Sequence, residues 1–455
     1  MIDIVVIDTP SLGDRSYLAT DGSVAIVIDP QRDIDRVLAA AAQRGVRITG
    51  VFETHIHNDY VTGGLALARA TGAPYYVNAA DQVSFDRSPV ADGDEIDTGQ
   101  LRVRVIATPG HTFNHLSYAL SDQGRVIAVF TGGSLLYGST GRTDLLGAEH
   151  SAELAKAQHG SARRLAAELP HDARVCPTHG FGSFCSATPT SGADSTIGRE
   201  MIVNPAFTLA EGDYVETILA GLDVYPAYYA HMAPANLAGP GAPDLELPSQ
   251  ADSGELRRRI EAGEWVVDLR SRIAFAAGHL HGTVHFELGD NLATYLGWLL
   301  PWGAPLTLLG DAPAEVAAAQ RQLVRIGVDQ VASAATGGPA AWAGGAPLAC
   351  YPVGTFAGYA QARSERAVVL LDVRRDSEWT ASRIDGAVHI PLHELPGRIA
   401  EIPDGEIWVH CQAGYRASVA ASLLDAAGRS VVLIDDDFGR AQQSGLAGAG
   451  AVPAY

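Results

Sequence analysis

The sequence predicts a multidomain α/β protein, and three observations carry that expectation. The chain has 455 residues with 47% hydrophobic and 18% charged content, ordinary globular material but too long for one core, since single cores rarely exceed about 250 to 300 residues. Short Val/Ile-rich runs alternate with helical stretches through the first half. The second half contains an internal repeat.

In residues 1–232 the runs 2–7, 24–29, 101–107 and 126–131 read as strands, and 33–44 and 152–168 as helices. Residues 233–252, APANLAGPGAPDLELPSQAD, are rich in Pro, Gly and Ala with no periodicity, the composition of an interdomain linker. Beyond it, residues 265–286 (WVVDLRSRIAFAAGHLHGTVHF) and 369–390 (VLLDVRRDSEWTASRIDGAVHI) align in one register. An offset of 104 relates Asp268 to Asp372, Arg270 to Arg374, Phe275 to Trp379, Gly282 to Gly386 and His285 to His389. The C-terminal half is therefore expected to be a duplicated α/β domain, each copy of roughly 100 residues, with a second linker within 337–355. The expected domains are 1–240, 250–345 and 355–455.

The formal net charge of −20 argues against nucleic acid, because phosphate binding needs a basic face. Small anions remain eligible wherever Arg side chains and backbone N–H groups converge. The N-terminal run Met1-Ile2-Asp3-Ile4-Val5 has no basic n-region, so the expected location is cytoplasmic. Apolar stretches such as 292–305 are interrupted by Gly, Pro and polar residues and fall short of the ~20 residues that span a bilayer, so no membrane partner is expected. Cysteines 176, 185, 350 and 411 are too few and scattered for a disulfide framework and read as reduced thiols.

Two constellations carry chemistry. The first is Thr54-His55-Ile56-His57-Asn58-Asp59, followed by Pro109-Gly110-His111-Thr112 and Thr178-His179-Gly180, histidines in loops that follow strand-like runs. Four imidazoles and a carboxylate on such loops suit a borderline metal such as zinc or iron(II), so His55, His57, Asp59, His111 and His179 are the candidate ligands. With Phe130-Thr131-Gly132, Gly141-Arg142-Thr143-Asp144, Ile197-Gly198-Arg199-Glu200, Asn204-Pro205 and Tyr228-Tyr229-Ala230-His231-Met232, these motifs resemble the metallo-β-lactamase superfamily, in its persulfide dioxygenase and glyoxalase II branch, from about residue 10 to Leu237. The resemblance implies an αββα sandwich. In glyoxalase II relatives the first motif continues with another histidine and the Phe-Thr-Gly strand ends in a metal-bridging aspartate; here those positions are Tyr60 and Gly133. The dioxygenase branch is similar in using the first histidine, the Pro-Gly-His histidine and that same aspartate, which would leave His55 and His111 without their carboxylate. Either His57 or Asp59 completes one mononuclear site, or the metal is lost; His55, His57 and His111 are the preferred set, with iron(II) preferred and zinc the alternative.

The second constellation is Cys411-Gln412-Ala413-Gly414-Tyr415-Arg416, between the strand-like run 407–410 and a helical run. Backbone N–H groups of Gln412, Ala413, Gly414 and Tyr415 in such a loop form an anion nest, and the helix N-terminus adds positive potential, so a thiolate or persulfide is stabilised there. Arg416 supplies a cation. Together with Asp372-Val373-Arg374 and Gly386-Ala387-Val388-His389-Ile390-Pro391, the loop resembles rhodanese, which implies parallel-sheet domains, Cys411 and Arg416 as catalytic residues, and Arg374 beside the bound anion. A phosphatase loop is the weaker alternative. The first repeat reaches Gly310-Asp311-Ala312 with no cysteine, so Asp268, Arg270 and His285 read as fold-maintaining and that copy as a spacer or docking surface. Cys176, Cys185 and Cys350 read as buried inert thiols.

The expected activity is oxidation of a glutathione-type persulfide to sulfite, coupled to sulfane-sulfur transfer through Cys411. A zinc hydrolase of glyoxalase II type with a sulfurtransferase is the second reading, and a metal-free N-terminal scaffold the third. Expected partners are a small-molecule persulfide, thiosulfate or glutathione, with self-association into a homo-oligomer left open.

Overall fold

The computed structural model describes residues 2–188, 190 and 192–449. It forms two compact units, one reaching Asp244 and including Leu323–Gly327, the other comprising Leu245–Gln322 and Val328 onward.

The first unit holds two six-stranded sheets. One runs in chain order, Asp3–Thr9, Asp14–Thr20, Val24–Ile28, Arg47–Phe52, Tyr75–Asn78 and Ser88–Val90; the other runs Glu95–Thr98, Leu101–Ala107, Leu116–Asp122, Arg125–Gly132, Arg174–Pro177 and Ser195–Thr196. Strand Leu101–Ala107 shows why they stack. Its Leu101, Val103 and Val105 are buried while Arg102 is exposed, the period of two that gives a strand one apolar face. That face meets Tyr17, Ile26, Phe52, Tyr118 and Phe130 in the core between the sheets. Each such fully buried aromatic or branched side chain contributes about 1.5–3 kcal/mol.

Helices Asp35–Arg44 and Gly64–Thr71 cover the outer face of the first sheet through Val37, Ala41, Leu65 and Leu67, packed on Val27, Ile48 and Val51. Helix Ser151–Glu168 covers the second through Ala155, Ala162 and Leu165 against Val129 and Val175. The result is the four-layered αββα sandwich that the motifs implied. The long connections follow Phe52, Ala107, Gly132 and Pro177, and these carry the histidines.

The second unit holds two parallel sheets. The first repeat orders its strands Val284–His285, Trp265–Asp268, Leu306–Leu309, Val331–Ala335; the second orders Val353–Gly354, Val431–Ile434, Ile407–His410, Val369–Asp372, Val388–His389. The register repeats in atomic detail. Arg270 Nη2 donates to Asp268 (2.6 Å) and to the Gly278 carbonyl (3.0 Å), as Arg374 Nη2 does to Asp372 (2.5 Å) and the Ser382 carbonyl (2.8 Å). His285 and His389 each donate through Nε2 to the carbonyl of their copy's arginine, at 2.8 and 2.9 Å.

Two expectations need correction. The first linker begins later than its composition suggests, because helix Tyr229–Ala238 continues through Pro234 and buries Met232 and Asn236. The packing of those two side chains outweighs the backbone bond that proline cannot make. Cys350 is exposed, whereas Cys176, Cys185 and Cys411 are buried. Among the described residues no helix is long and apolar enough to cross a membrane.

Candidate metal centre and cysteine loop

His55, His57, Asp59, His111 and His179 converge at the ends of these strands, each 2% exposed or less. Their hydrogen bonds fix which ring nitrogen faces inward. Thr54 Oγ1 donates its single proton to Asp29 Oδ2 (2.7 Å), so it accepts from His55 Nδ1 (2.9 Å). His111 Nδ1 donates to the Arg142 carbonyl (2.7 Å) and His179 Nδ1 to Asp14 Oδ1 (2.9 Å). All three rings therefore present Nε2. His55 and His179 bring Nε2 atoms to 3.4 Å, and ligand atoms of His55, His111 and His179 lie within 4.8 Å of one another. His111 Nε2 is buried with no hydrogen-bond partner. This donor set suits a divalent cation that accepts imidazole nitrogen, and the domain has a metal-binding fold with a His/Asp site.

The structure groups His55 and His111 with His179, and groups His57, the residue preferred from sequence, separately with Asp59 and His179 and with Asp29 and Glu53. His57 presents the opposite nitrogen: its Nε2 lies 3.1 Å from Glu53 Oε2, 3.4 Å from Asp29 Oδ1 and 2.9 Å from the Tyr60 hydroxyl. Its Nδ1 has no partner and lies 3.9 Å from Asp59 Oδ1. Asp59 instead approaches His179 Nδ1, at 3.2 Å.

Electrostatics divides the imidazoles. Burial pushes His55 well below the usual histidine range and, with His179 nearby, pushes His111 down to about 3, so both are neutral lone-pair donors. Burial also works against charge on His57, but Asp29 and Glu53 outweigh it and its pKa rises to about 9. His179 is raised in the same way, burial being overcome by Asp59 and Asp14. A cation bound at this face would have to displace the His179 Nε2 proton, the usual coupling of metal binding to deprotonation.

Several supporting residues had no motif to announce them. Asp29 has a positive φ of 51°, sparsely populated for a residue with a Cβ, and from there its carboxylate accepts from Thr54 N, Thr54 Oγ1 and Thr178 Oγ1, joining the loops of His55 and His179. Asn236 ties the first motif: its Nδ2 donates to the carbonyls of His57 (2.9 Å) and Tyr60 (2.8 Å), and its Oδ1 accepts from Thr62 N (2.9 Å). Asp14 orients the His179 ring from outside the metal position, as carboxylates behind metal-ligating histidines do, and Glu53 holds the His57 ring at Nε2.

In the second unit Cys411 lies between strand Ile407–His410 and helix Tyr415–Ala426, 2% exposed, with Gly414 at φ 90°. A Cβ on Gly414 would stand 2.2 Å from Asp435 Oδ1, so both conformation and space require glycine there. Arg416 is clasped by Glu378 through two bonds, Nη1 to Oε2 (2.5 Å) and Nη2 to Oε1 (2.7 Å). Burial alone would raise the Glu378 pKa, but Arg416 overrides it and holds the carboxyl at about 2. Arg374 belongs to the framework instead of the anion site: it is 1% exposed, paired with Asp372, and its guanidinium lies 3.6 Å from the Phe438 ring centroid. Burial pushes the Cys176 thiol up to about 12 and raises Cys185 too, so neither is a ready nucleophile.

The cysteine-less repeat packs beside Arg416 of this loop. Tyr295 and Trp298, on its helix Leu292–Leu299, line a pocket with Val373, Arg375, His393 and Arg416. Tyr295 meets Tyr415 at 5.6 Å between ring centroids, and Trp298 stacks on His393 at 5.0 Å.

Comparison with known proteins agrees with this division. Residues 14–179 match the metallo-beta-lactamase superfamily, and residues 356–441 match the rhodanese-like domain. Hydroxyacylglutathione hydrolase of Acidiphilium cryptum (strain JF-5) is 37% identical over 116 residues, 25% of this chain and 47% of that protein, so the match spans under half of that relative's length. The mitochondrial persulfide dioxygenase ETHE1 of Homo sapiens is 28% identical over 229 residues, 50% of this chain and 81% of that protein. The crystal structure of a metallo-beta-lactamase from Staphylococcus aureus subsp. aureus COL superposes with a TM-score of 0.66 at 27% identity, covering 74% of this chain and 99% of that one. The chain joins a metallo-β-lactamase superfamily domain, with ETHE1 and glyoxalase II homologues, to a C-terminal rhodanese-like domain.

Proposed function

We propose that the N-terminal domain is a mononuclear iron(II) persulfide dioxygenase and that Cys411 exchanges sulfane sulfur with a small-molecule donor, in a chain of three domains over 1–240, 250–345 and 355–455. The observation that carries the mononuclear part of this reading is the loss of the second metal position. Tyr60 replaces the extra histidine and spends its hydroxyl on His57, and Gly133 offers no bridging carboxylate. A dinuclear hydrolase needs both. Dioxygenase chemistry in particular is supported by the likeness to persulfide dioxygenase ETHE1 over 229 residues, with Gly133 standing where that branch has its aspartate.

The overall reaction balances as RSSH + O2 + H2O giving RSH + sulfite + 2 H+, the terminal sulfur being oxidised and dioxygen reduced. Bound iron(II) supplies the one-electron steps and the soft-ligand affinity that persulfide and dioxygen require. The chain's own residues hold the site: Thr54, Arg142 and Asp14 set the three Nδ1 protons, and the buried surroundings limit water.

At the second site the Cys411 thiolate attacks the outer sulfur of thiosulfate or a persulfide. The donor's S–S bond breaks, sulfite or RS− leaves with the bonding pair, and Cys411 keeps the sulfur as a persulfide. Loop N–H groups and the Glu378-fixed guanidinium of Arg416 face the developing charge. An acceptor thiolate then takes the sulfur and restores the thiol.

The test is oxygen uptake with glutathione persulfide, using iron-loaded protein of known metal content beside His111→Ala. Uptake with stoichiometric sulfite, lost in the variant, is expected. The hydroxyacylglutathione hydrolase relatives favour a second reading, a zinc hydrolase, which predicts zinc in the purified protein, thioester cleavage and no oxygen uptake.

A further inference from the structure

We propose that the N-terminal metal sits on a three-imidazole face of His55, His111 and His179, that His179 stands in for the carboxylate position 133 lacks, and that Gly133 is a steric requirement of this face. The inference rests on the mononuclear reading above and names its ligands. The hydrogen-bond pattern distinguishes these rings from the other two in the cluster. Each of the three is held at Nδ1 by an acceptor outside the cluster, leaving Nε2 directed inward. His57 is held at Nε2 and turns its unpartnered Nδ1 toward Asp59, 3.9 Å away, which places it in a separate group with Asp59 and His179 instead of with His55 and His111. His115 has no free nitrogen, with Nδ1 on Thr108 Oγ1 (3.0 Å) and Nε2 accepting from Gly133 N (3.1 Å).

Gly133 is more than a missing aspartate. A Cβ built there would fall 2.2 Å from His111 Cδ2 and 2.6 Å from Cγ, and a Cβ on Gly141 would fall 2.7 Å from His111 Nδ1. The two glycines face each other across a 2.9 Å bond from Gly141 N to the Gly133 carbonyl, and Gln158 Nε2 donates to the Gly141 carbonyl (3.1 Å). The imidazole is wedged against this floor and anchored by Arg142, so it cannot retreat. A side chain at 133 and His111 in its present place exclude one another. What the position loses as a ligand, the face regains from His179, whose Nδ1 is backed by Asp14 and Asp59 as metal-bound histidines are backed by carboxylates.

The ligand set also indicates what binds. Three neutral imidazoles leave a divalent cation its full formal charge, where a carboxylate would cancel one unit. The open positions therefore favour an anionic, soft donor, the thiolate or perthiolate of a low-molecular-weight sulfur compound.

Metal retention tests this without turnover. Full-length protein and the variants His179→Ala, His57→Ala, Gly133→Ala and Gly133→Asp are loaded with ferrous iron or with cobalt(II) alone and titrated with a competing chelator, folding being checked by circular dichroism. One equivalent bound by the parent, a loss of affinity of about 100-fold or more in His179→Ala, a smaller loss in His57→Ala, and weakened binding in both position-133 variants are expected. A thiolate-to-cobalt absorption band on adding a small thiol is expected in the parent and absent in His179→Ala. Tighter binding in Gly133→Asp, unchanged binding in Gly133→Ala, or a greater loss in His57→Ala than in His179→Ala would overturn the proposal. Failure of oxygen uptake with these metal data intact would remove the dioxygenase reading and leave the ligand set standing.

Discussion

Replacing Glu378 with glutamine should destabilise the rhodanese unit at neutral pH by an amount that fades on acidification. The carboxyl sits at about 2 against an ordinary 4.5, and at 1.36 kcal/mol per unit this differential is worth about 3 kcal/mol. The direction follows from linkage. A carboxyl with a lowered folded-state pKa gives stability that is fully present above its unfolded value and is lost as pH falls through the folded value. The contribution is thus whole at pH 7 and more than half gone by pH 3. Glutamine keeps the shape and loses the charge, leaving the buried Arg416 guanidinium unpaired, a change that costs about 3–5 kcal/mol in fully buried pairs. The assay is equilibrium urea unfolding of the full chain at pH 7, 5, 4 and 3, read through loss of thiosulfate sulfurtransferase activity normalised to zero urea. The gap between parent and variant should narrow steadily below pH 4.5. A gap equal at every pH, or one below about 0.5 kcal/mol at pH 7, as for a solvated pair, would refute the assignment of Glu378 as the residue that fixes Arg416.

Three further outcomes are expected. Cys411→Ser should abolish sulfur transfer while leaving oxygen uptake with glutathione persulfide intact, measured on one preparation. Asn236→Ala removes three buried hydrogen bonds from the first histidine motif; at about 1 kcal/mol each it should lower stability by about 3 kcal/mol in thermal or urea unfolding and weaken metal retention with it. Trp298→Ala, in the copy that has no cysteine, should raise KM for thiosulfate several-fold with a smaller effect on kcat, because it opens the pocket wall without touching the loop; an unchanged KM would exclude that wall from substrate binding.

Much of the fold and part of the site were legible in the sequence, and the division has a physical basis. Strand 101–107 and the repeat at offset 104 are local patterns, fixed by alternation and by side chains bonding two residues away, as Arg374 does to Asp372. The Cys411 loop was legible for the same reason. His179 was undervalued because a single histidine in a loop has no local signature; its role depends on Asp14, 165 positions earlier in the chain. Asn236 was hidden in a segment whose composition reads as linker. The rhodanese resemblance places Arg374 beside the anion, whereas the folded chain pairs it with Asp372 and buries it against Phe438. Glu378 lies only four residues beyond Arg374, yet its partner Arg416 is 38 residues away, a pairing that only the folded chain reveals.

The way the second repeat leans on the first limits how far the duplication is modular. His285 of the cysteine-less copy donates from its backbone to Ser422 Oγ (2.9 Å) and meets Ser418 Oγ through Nδ1 (3.2 Å), both on the helix that begins at the Cys411 loop. Arg272 reaches Asp435 (2.7 Å), the carboxylate lying against Gly414, and His279 reaches Asp425 (3.0 Å). Excising residues 355 onward as a minimal sulfurtransferase would strip these braces and uncover the inner face of that helix. The copy that lost its nucleophile has become a splint for the one that kept it, and deletion mapping that treats the two as separate modules would mistake loss of support for loss of a catalytic group.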